Sequence, residues 1–181
     1  YLLIADAALY ALSGRSRIRE QPAALGRMAL LSIPLWLIFE AYNLRLANWT
    51  YVGLPEHIFL RWLGYAWSFA TITPAILVTA DVVGALGWFS HNARPECSMR
   101  ISATAERAMI ATGAAMLLLP LVLPQRIAAY LFALVWLGFI FLLDPLNHRR
   151  GLPSLLGDLA AGRRTRLYSL IVSGWVCGSL W

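Results

Sequence analysis

LSIPLWLIFEAYNLRLANWTYVGLP, residues 31–55, decides how the whole chain is read. An apolar run of helical length closes on Glu40, Asn43 and Arg45, and Trp49 and Tyr51 follow at once. Apolar stretches longer than about 18 residues read as membrane helices, and Trp and Tyr gather where such helices meet the headgroups. The polar residues therefore stand where a membrane helix ends. They are either the stop of that helix or a site built at the membrane face.

The rest of the chain repeats the pattern. Hydrophobic residues make up 60% and charged residues 13%, far from the roughly 25% charged of soluble domains. A soluble domain of 181 residues can bury one such helix but not a series of them. The expected fold is all-α: a polytopic transmembrane helical bundle with about six membrane segments, at 1–13, 24–42, 59–89, 104–123, 127–143 and 167–181. The first and last are incomplete, since the chain opens on Tyr1 and stops at Trp181 inside apolar runs, so a longer native protein is expected. Residues 1–181 read as one integral membrane domain. Within it, 145–166 form a cytoplasmic loop whose Leu152, Leu155, Leu156 and Leu159 suit a short amphipathic helix lying on the membrane surface.

All fifteen basic residues are arginine, and their distribution sets the expected topology. Twelve lie in the first, third and fifth connections: Arg15, Arg17, Arg19, Arg27; Arg94, Arg100, Arg107; and Arg149, Arg150, Arg163, Arg164, Arg166. Only Arg45, Arg61 and Arg126 fall in the second and fourth. Cytoplasmic loops carry the excess of positive charge, which puts loops 14–27, 90–103 and 145–166 on the cytoplasmic side of a bacterial inner (cytoplasmic) membrane. Arginines placed between apolar runs suit lipid headgroups rather than a phosphate groove, so nucleic acid is not an expected partner. Pro34, Pro74 and Pro120 fall inside the apolar runs and are expected to bend their helices.

Acids within a span are costly, about 2.5–3.5 kcal/mol each on insertion scales, and need partners. Asp6, Glu40, Asp81 and Asp144 fall in or at the ends of such runs. Trp36, Glu40, Asn43 and Ala47 share one helical face by spacing, and Arg45 is close enough to answer the Glu40 charge. The spacing of Glu40, Asn43 and Arg45 in EAYNLR recurs in DPLNHR as Asp144, Asn147 and Arg149. The topology above sets the two copies at opposite faces, as a 3+3 inverted repeat would. Two polar helix stops would give the same spacing, and both explanations stand at this point.

Other chemistry is sparse. His57, His91 and His148 lie in or beside loops without metal-ligand spacing, and Cys97 and Cys177 make neither a metal pattern nor a disulfide framework. There is no nucleophile motif, phosphate loop or dinucleotide fingerprint. No metal or cofactor is expected, although bound lipid, carotenoid or another pigment fits the composition.

FEAYNLRLANWTYVGLPEHIFLRWLGY, from Phe39, resembles the small membrane lycopene cyclases and related carotenoid enzymes. In that family an acid precedes a W-x-[YF] element, and a Pro-x-Glu-Glu motif then opens the next helix. Glu40 precedes Trp49 and Tyr51 here, and Pro55 with Glu56 takes the later place, but His57 stands where a second glutamate would. The family is built of three-helix units. The resemblance covers about 25 residues and implies acid-catalysed protonation of a polyene, with Glu40 or Glu56 as the acid. Asn43, Arg45, Trp49 and Tyr51 would then line the substrate pocket, the ring of Trp49 facing a carbocation. Otherwise the chain is similar to uncharacterised bacterial polytopic membrane proteins.

Three functions are weighed on this basis. The leading one is a non-catalytic accessory or structural subunit of a larger photosynthetic or respiratory membrane complex, with the bilayer and other membrane subunits as partners. The alternative is an intramembrane enzyme acting on a carotenoid, isoprenoid or lipid; the third is a small transporter.

Overall fold

A computed structural model describes residues 1–89 and 98–180. His91, Arg94 and Cys97, with most of the expected third loop, lie outside the described residues, as does Trp181. Among the described residues the chain is helical, without strands. The elements are α1 (Leu2–Ser13), α2 (Arg17–Glu20), α3 (Pro22–Leu46), α4 (Ile58–Ala85), α5 (Ala103–Val122), α6 (Gln125–Ala128), α7 (Phe132–Arg149), α8 (Leu155–Ala160) and α9 (Thr165–Leu180). Three of them, α3, α4 and α5, are long and apolar enough to cross a membrane. Their outward faces carry Leu30, Leu31, Trp62, Trp67 and Leu118 in the open.

The helices differ from the apolar runs at their ends, for local reasons. Helix α3 continues past Tyr42 to Leu46, so Glu40, Asn43 and Arg45 are helical, and it stops where Ala47 takes φ 51°. A left-handed residue is the usual helix terminator, and glycine or asparagine usually fills the place. The expected face of Trp36, Glu40, Asn43 and Ala47 therefore loses its last member to the turn. The run 127–143 is divided: α6 ends at Ala128, and α7 begins at Phe132 and extends to Arg149. As a result Pro145 lies inside a helix, as Pro34, Pro74 and Pro120 do.

Two compact units make up the chain, one of Tyr1–Leu37, Gly53–Ala93 and Arg164–Trp181, the other of Ile38–Val52 and Arg94–Arg163. In the first, α4 packs against α1 and α9. Small residues make that approach close: Ser169, Ser173 and Cys177 recur every fourth residue along the buried side of α9. Ser173 donates to the Ile76 carbonyl at 2.5 Å, and Thr79 receives the Tyr1 hydroxyl at 2.7 Å. Ser32 of α3 stands against α4 just ahead of Pro74. Its hydroxyl accepts from the Thr73 N–H (3.1 Å) and donates to the Phe69 carbonyl (2.5 Å), the i and i−4 pair just ahead of Pro74. A side chain inserted at such a pair is a recognised cause of helix bending.

In the second unit α5 packs on α7. The crossing is set by glycine: a Cβ on Gly113 would lie 2.5 Å from the Leu142 nitrogen and 2.8 Å from the Gly138 carbonyl oxygen. Around it Leu46, Leu117, Phe132 and Val135 form a buried cluster, with Phe39, Tyr42 and Trp49 against it. Trp49 meets Phe132 edge-on with centroids 4.4 Å apart, a geometry that aromatic quadrupoles favour.

Candidate functional site

The polar end of α3 is built around Asn43. Its Oδ1 accepts from the N–H groups of Asn48 (2.8 Å) and Trp49 (3.1 Å), and its Nδ2 donates to the Trp49 carbonyl at 2.8 Å. One amide side chain thus replaces the backbone partners that the helix end cannot supply. It also forces the chain to reverse at 47–49, which brings Trp49 and Tyr51 back over α3. Glu40 receives both of them on Oε1, the Trp49 indole N–H at 3.2 Å and the Tyr51 hydroxyl at 2.6 Å.

Arg45 faces elsewhere. It donates to the carbonyl of Leu123 at 2.7 Å and to the side chain of Gln125. Leu123 is the C-cap of α5, so the guanidinium sits at the negative end of that helix, where cations are favoured. Gln125 answers by donating to the Leu46 carbonyl at 3.0 Å, and Asn48 donates to the Ala129 carbonyl at 2.9 Å. Of the residues expected to line a pocket, Glu40, Trp49 and Tyr51 come together. Asn43 holds their loop, and Arg45 belongs to a helix junction. Glu56, the other expected acid, is exposed in the first unit and makes no hydrogen bond or ion pair among the described residues.

The second copy of the spacing is built differently. Asp144 accepts from two backbone amides at the start of α8, Leu155 (2.8 Å) and Leu156 (2.7 Å). Arg149 donates to Glu106 at 2.6 Å, and His148 Nε2 lies 3.7 Å from the same carboxylate. Asn147 contributes its backbone carbonyl to Arg150 and Leu152 rather than its side chain. Glu106, only 8% exposed in the first turn of α5, was not singled out from sequence. Its signal was an acid just after Ser102, a serine cap that opens the apolar run and accepts the Ala105 N–H.

The other two acids expected in apolar runs are partnered in the first unit. Asp6, 6% exposed, accepts from the Ser16 hydroxyl at 2.6 Å and from the Arg17 N–H at 2.8 Å. Asp81 holds the guanidinium of Arg17. That hydrogen bond raises the Arg17 pKa, against a smaller lowering from burial. Stability gained from a raised pKa is lost only as pH climbs through the raised value, so the arginine of this pair stays charged at neutral pH and well above it.

Among the described residues no group of three or more His, Cys, Asp or Glu is placed to hold a metal ion. His57 is the N-cap of α4 without a side-chain bond to it, and His148 serves the Glu106 cluster. In this arrangement the end of α3 can accept hydrogen bonds at Glu40 and present Tyr51, 43% exposed, at its edge. Comparison with family models, with curated proteins and with solved structures gives no match.

Proposed function

We propose that the chain is a multi-pass protein of the bacterial cytoplasmic membrane, crossing it about six times. Its role is that of a non-catalytic accessory subunit that packs helices within a larger membrane complex, photosynthetic or respiratory. What supports this role is the use made of the acids. Each of the seven in the helices has a structural partner. Asp6 and Asp144 hold α2 and α8, Asp81 and Glu106 hold Arg17 and Arg149, and Glu40 holds Trp49 and Tyr51. Glu20 accepts the Ser16 N–H, and Asp158 pairs with Arg163. A proton donor or ion site on these helices would have to give up one of these bonds. The six-crossing count and the 3+3 inverted relation rest on hydropathy and on the acid-x-x-Asn-x-Arg spacing.

The enzyme alternative is favoured by one feature, the convergence of Glu40, Trp49 and Tyr51. In it Glu40 would protonate an isoprenoid double bond after Tyr51 moved aside. Purification of the tagged chain from its own membranes in mild detergent, with mass spectrometry and an absorption spectrum, separates the two. A stable set of other subunits is the expected outcome. Elution alone with a bound carotenoid or isoprenoid, together with turnover abolished in Glu40→Gln, would overturn the accessory role.

A further inference from the structure

At one end of the second unit an imidazole stands between two helices and is hydrogen-bonded to neither. His148 lies in the last turn of α7. Its Nε2 faces Oε1 of Glu106 on α5 at 3.7 Å, beyond the roughly 2.7–3.2 Å of a hydrogen bond. Arg149 takes the other carboxylate oxygen, Oε2, at 2.6 Å. Among the described residues the ring makes no hydrogen bond and Oε1 accepts none. The ring also lies against α8: a Cβ on Gly157 would stand 3.2 Å from Nδ1 and 3.8 Å from Cε1. Gly157 has no positive φ, so its backbone does not call for glycine. The space does, since the same Cβ would also meet the Ser154 hydroxyl at 2.8 Å.

Few charged groups surround the ring, and all but one acceptor are committed. On α5 there is Glu106, with Arg107 exposed beside it. On α8 there is Asp158, engaged by Arg163 at 2.8 Å. On α7 itself Asp144, one turn back, accepts from the N–H groups of Leu155 and Leu156, Arg149 holds Glu106, and Arg150 is exposed. A proton added to His148 therefore finds one open acceptor, Oε1 of Glu106. A charged imidazole donates from both nitrogens, whereas a neutral one donates from only one. Charge-assisted hydrogen bonds are also shorter and roughly twice as strong as neutral ones, so protonation gives the 3.7 Å gap a reason to close. The parts that would move are linked. Residues 99–102 run into α5, and the Met99 N–H donates to the Ala160 carbonyl at the end of α8 at 2.9 Å. Helix α8 is in turn capped by Ser154 and held by Asp144.

We propose that His148 is a pH-sensitive clasp that closes on Glu106 when protonated and draws the first turn of α5 onto α7 and α8. Imidazoles change charge between about pH 5 and 8, so the clasp is closed on the acid side of that range and open on the basic side. The stability it adds is present at the lower pH and lost as pH rises. In the orientation proposed above this end faces the cytoplasm. In detergent both faces share one pH, so the test depends neither on that orientation nor on the accessory role. Hydrogen exchange of the full chain in detergent is followed by mass spectrometry at about pH 5.5 and about pH 8, with rates corrected for the intrinsic effect of pH. Amides 105–110 should open about fivefold to tenfold less often at the acid pH, the low end of what a charge-assisted hydrogen bond supplies, because the ring is 29% exposed. Amides of α9, in the first unit, should show no such difference. His148→Gln and Glu106→Gln should each abolish the difference, although His57 and His91 remain in both. A native chain in which amides 105–110 open equally at the two pH values overturns the clasp without any variant. A difference that survives either substitution, or one that appears equally in α9, overturns it as well.

Discussion

The ends of α3 and α7 carry the same residue types at the same spacing, yet they do different work. Glu40 gathers two aromatic side chains, whereas Asp144 gathers two backbone amides. Asn43 ties a loop with its side chain, whereas Asn147 holds its turn through its backbone carbonyl. Arg45 and Arg149 come closest to equivalence, since they hold opposite ends of one helix. The first reaches the carbonyl end of α5 at Leu123, the second the acid in its first turn at Glu106. Meanwhile the turns after Asp6 and Asp144, which share almost no sequence, have matching hydrogen bonds. Spacing along a helix fixes which side chains share a face; what that face meets is decided by the next element of chain.

The helix held at both ends is also held in the middle, and that is where the largest effect is expected. Gly113→Ala would bring a methyl group within 3 Å of backbone atoms of α7 at Gly138, Phe141 and Leu142. Backbone cannot rotate away, so α5 and α7 must separate. Overpacking of this kind costs about 1–3 kcal/mol, and Gly113→Leu should prevent folding. Gly174→Ala, with nothing within 4 Å of the added Cβ, should be neutral or slightly stabilising. Thermal unfolding of the purified chain in detergent measures both, and a neutral Gly113→Ala would mean that the helices cross elsewhere.

The two arginines give the next contrast. Arg149→Leu leaves the Glu106 carboxylate, 10% exposed at its side chain, facing only His148. Removing one partner of a largely buried pair costs up to about 3–5 kcal/mol; with Arg149 itself 37% exposed, about 2 kcal/mol is expected. Adding Glu106→Gln should recover much of the loss. Arg45→Leu removes a helix-terminal interaction whose acceptors, the Leu123 carbonyl and the Gln125 side chain, are neutral, and should cost about 1 kcal/mol. Equal losses from the two would show that the ends of α5 are equivalent after all.

Much of this was legible from sequence and some was not, for identifiable reasons. The apolar runs gave the helical class because burying so many long runs demands helices, and the three longest appear as α3, α4 and α5. The polar end of α3 was legible as a cluster because its members lie within a dozen residues. Its roles were not, because Asn43 acts on Asn48 and Trp49 through a turn created by Ala47 at positive φ, a conformation that sequence assigns first to glycine. Glu106 was hidden for a different reason. Its partner lies forty-three residues away on α7, and periodicity carries no information at that distance. The Asp6 and Asp144 turns escaped because the shared feature is a hydrogen-bond pattern of only two residue types, an aspartate and a serine ten residues later.

Asn43 and Asn147 sharpen the contrast further. Asn43→Ala removes three hydrogen bonds that terminate α3, and losses at such caps run about 1–2 kcal/mol. Asn147→Ala keeps the carbonyl and should stay within about 0.5 kcal/mol. Trp49 offers a second readout, since its ring packs on Phe132 only while the loop is tied back. Its emission should shift to the red in Asn43→Ala and stay put in Asn147→Ala.

The smallest expected change is at Glu40, and it bears most on function. Glu40→Gln keeps an oxygen that can accept from Tyr51 and Trp49, so only the charge assistance is lost. Charged acceptors are roughly twice as strong as neutral ones, which puts the cost at about 1 kcal/mol or less, and in the accessory role proposed above assembly should persist. Glu40→Ala leaves the Tyr51 hydroxyl and the Trp49 indole without that acceptor, and the indole is part-buried. Its cost should be about 1–2 kcal/mol. A Gln variant that unfolds like the Ala variant would mean that the negative charge itself holds the loop. A Gln variant that folds and assembles but loses a turnover present in the native protein would turn the same three residues from a clasp into a catalytic site.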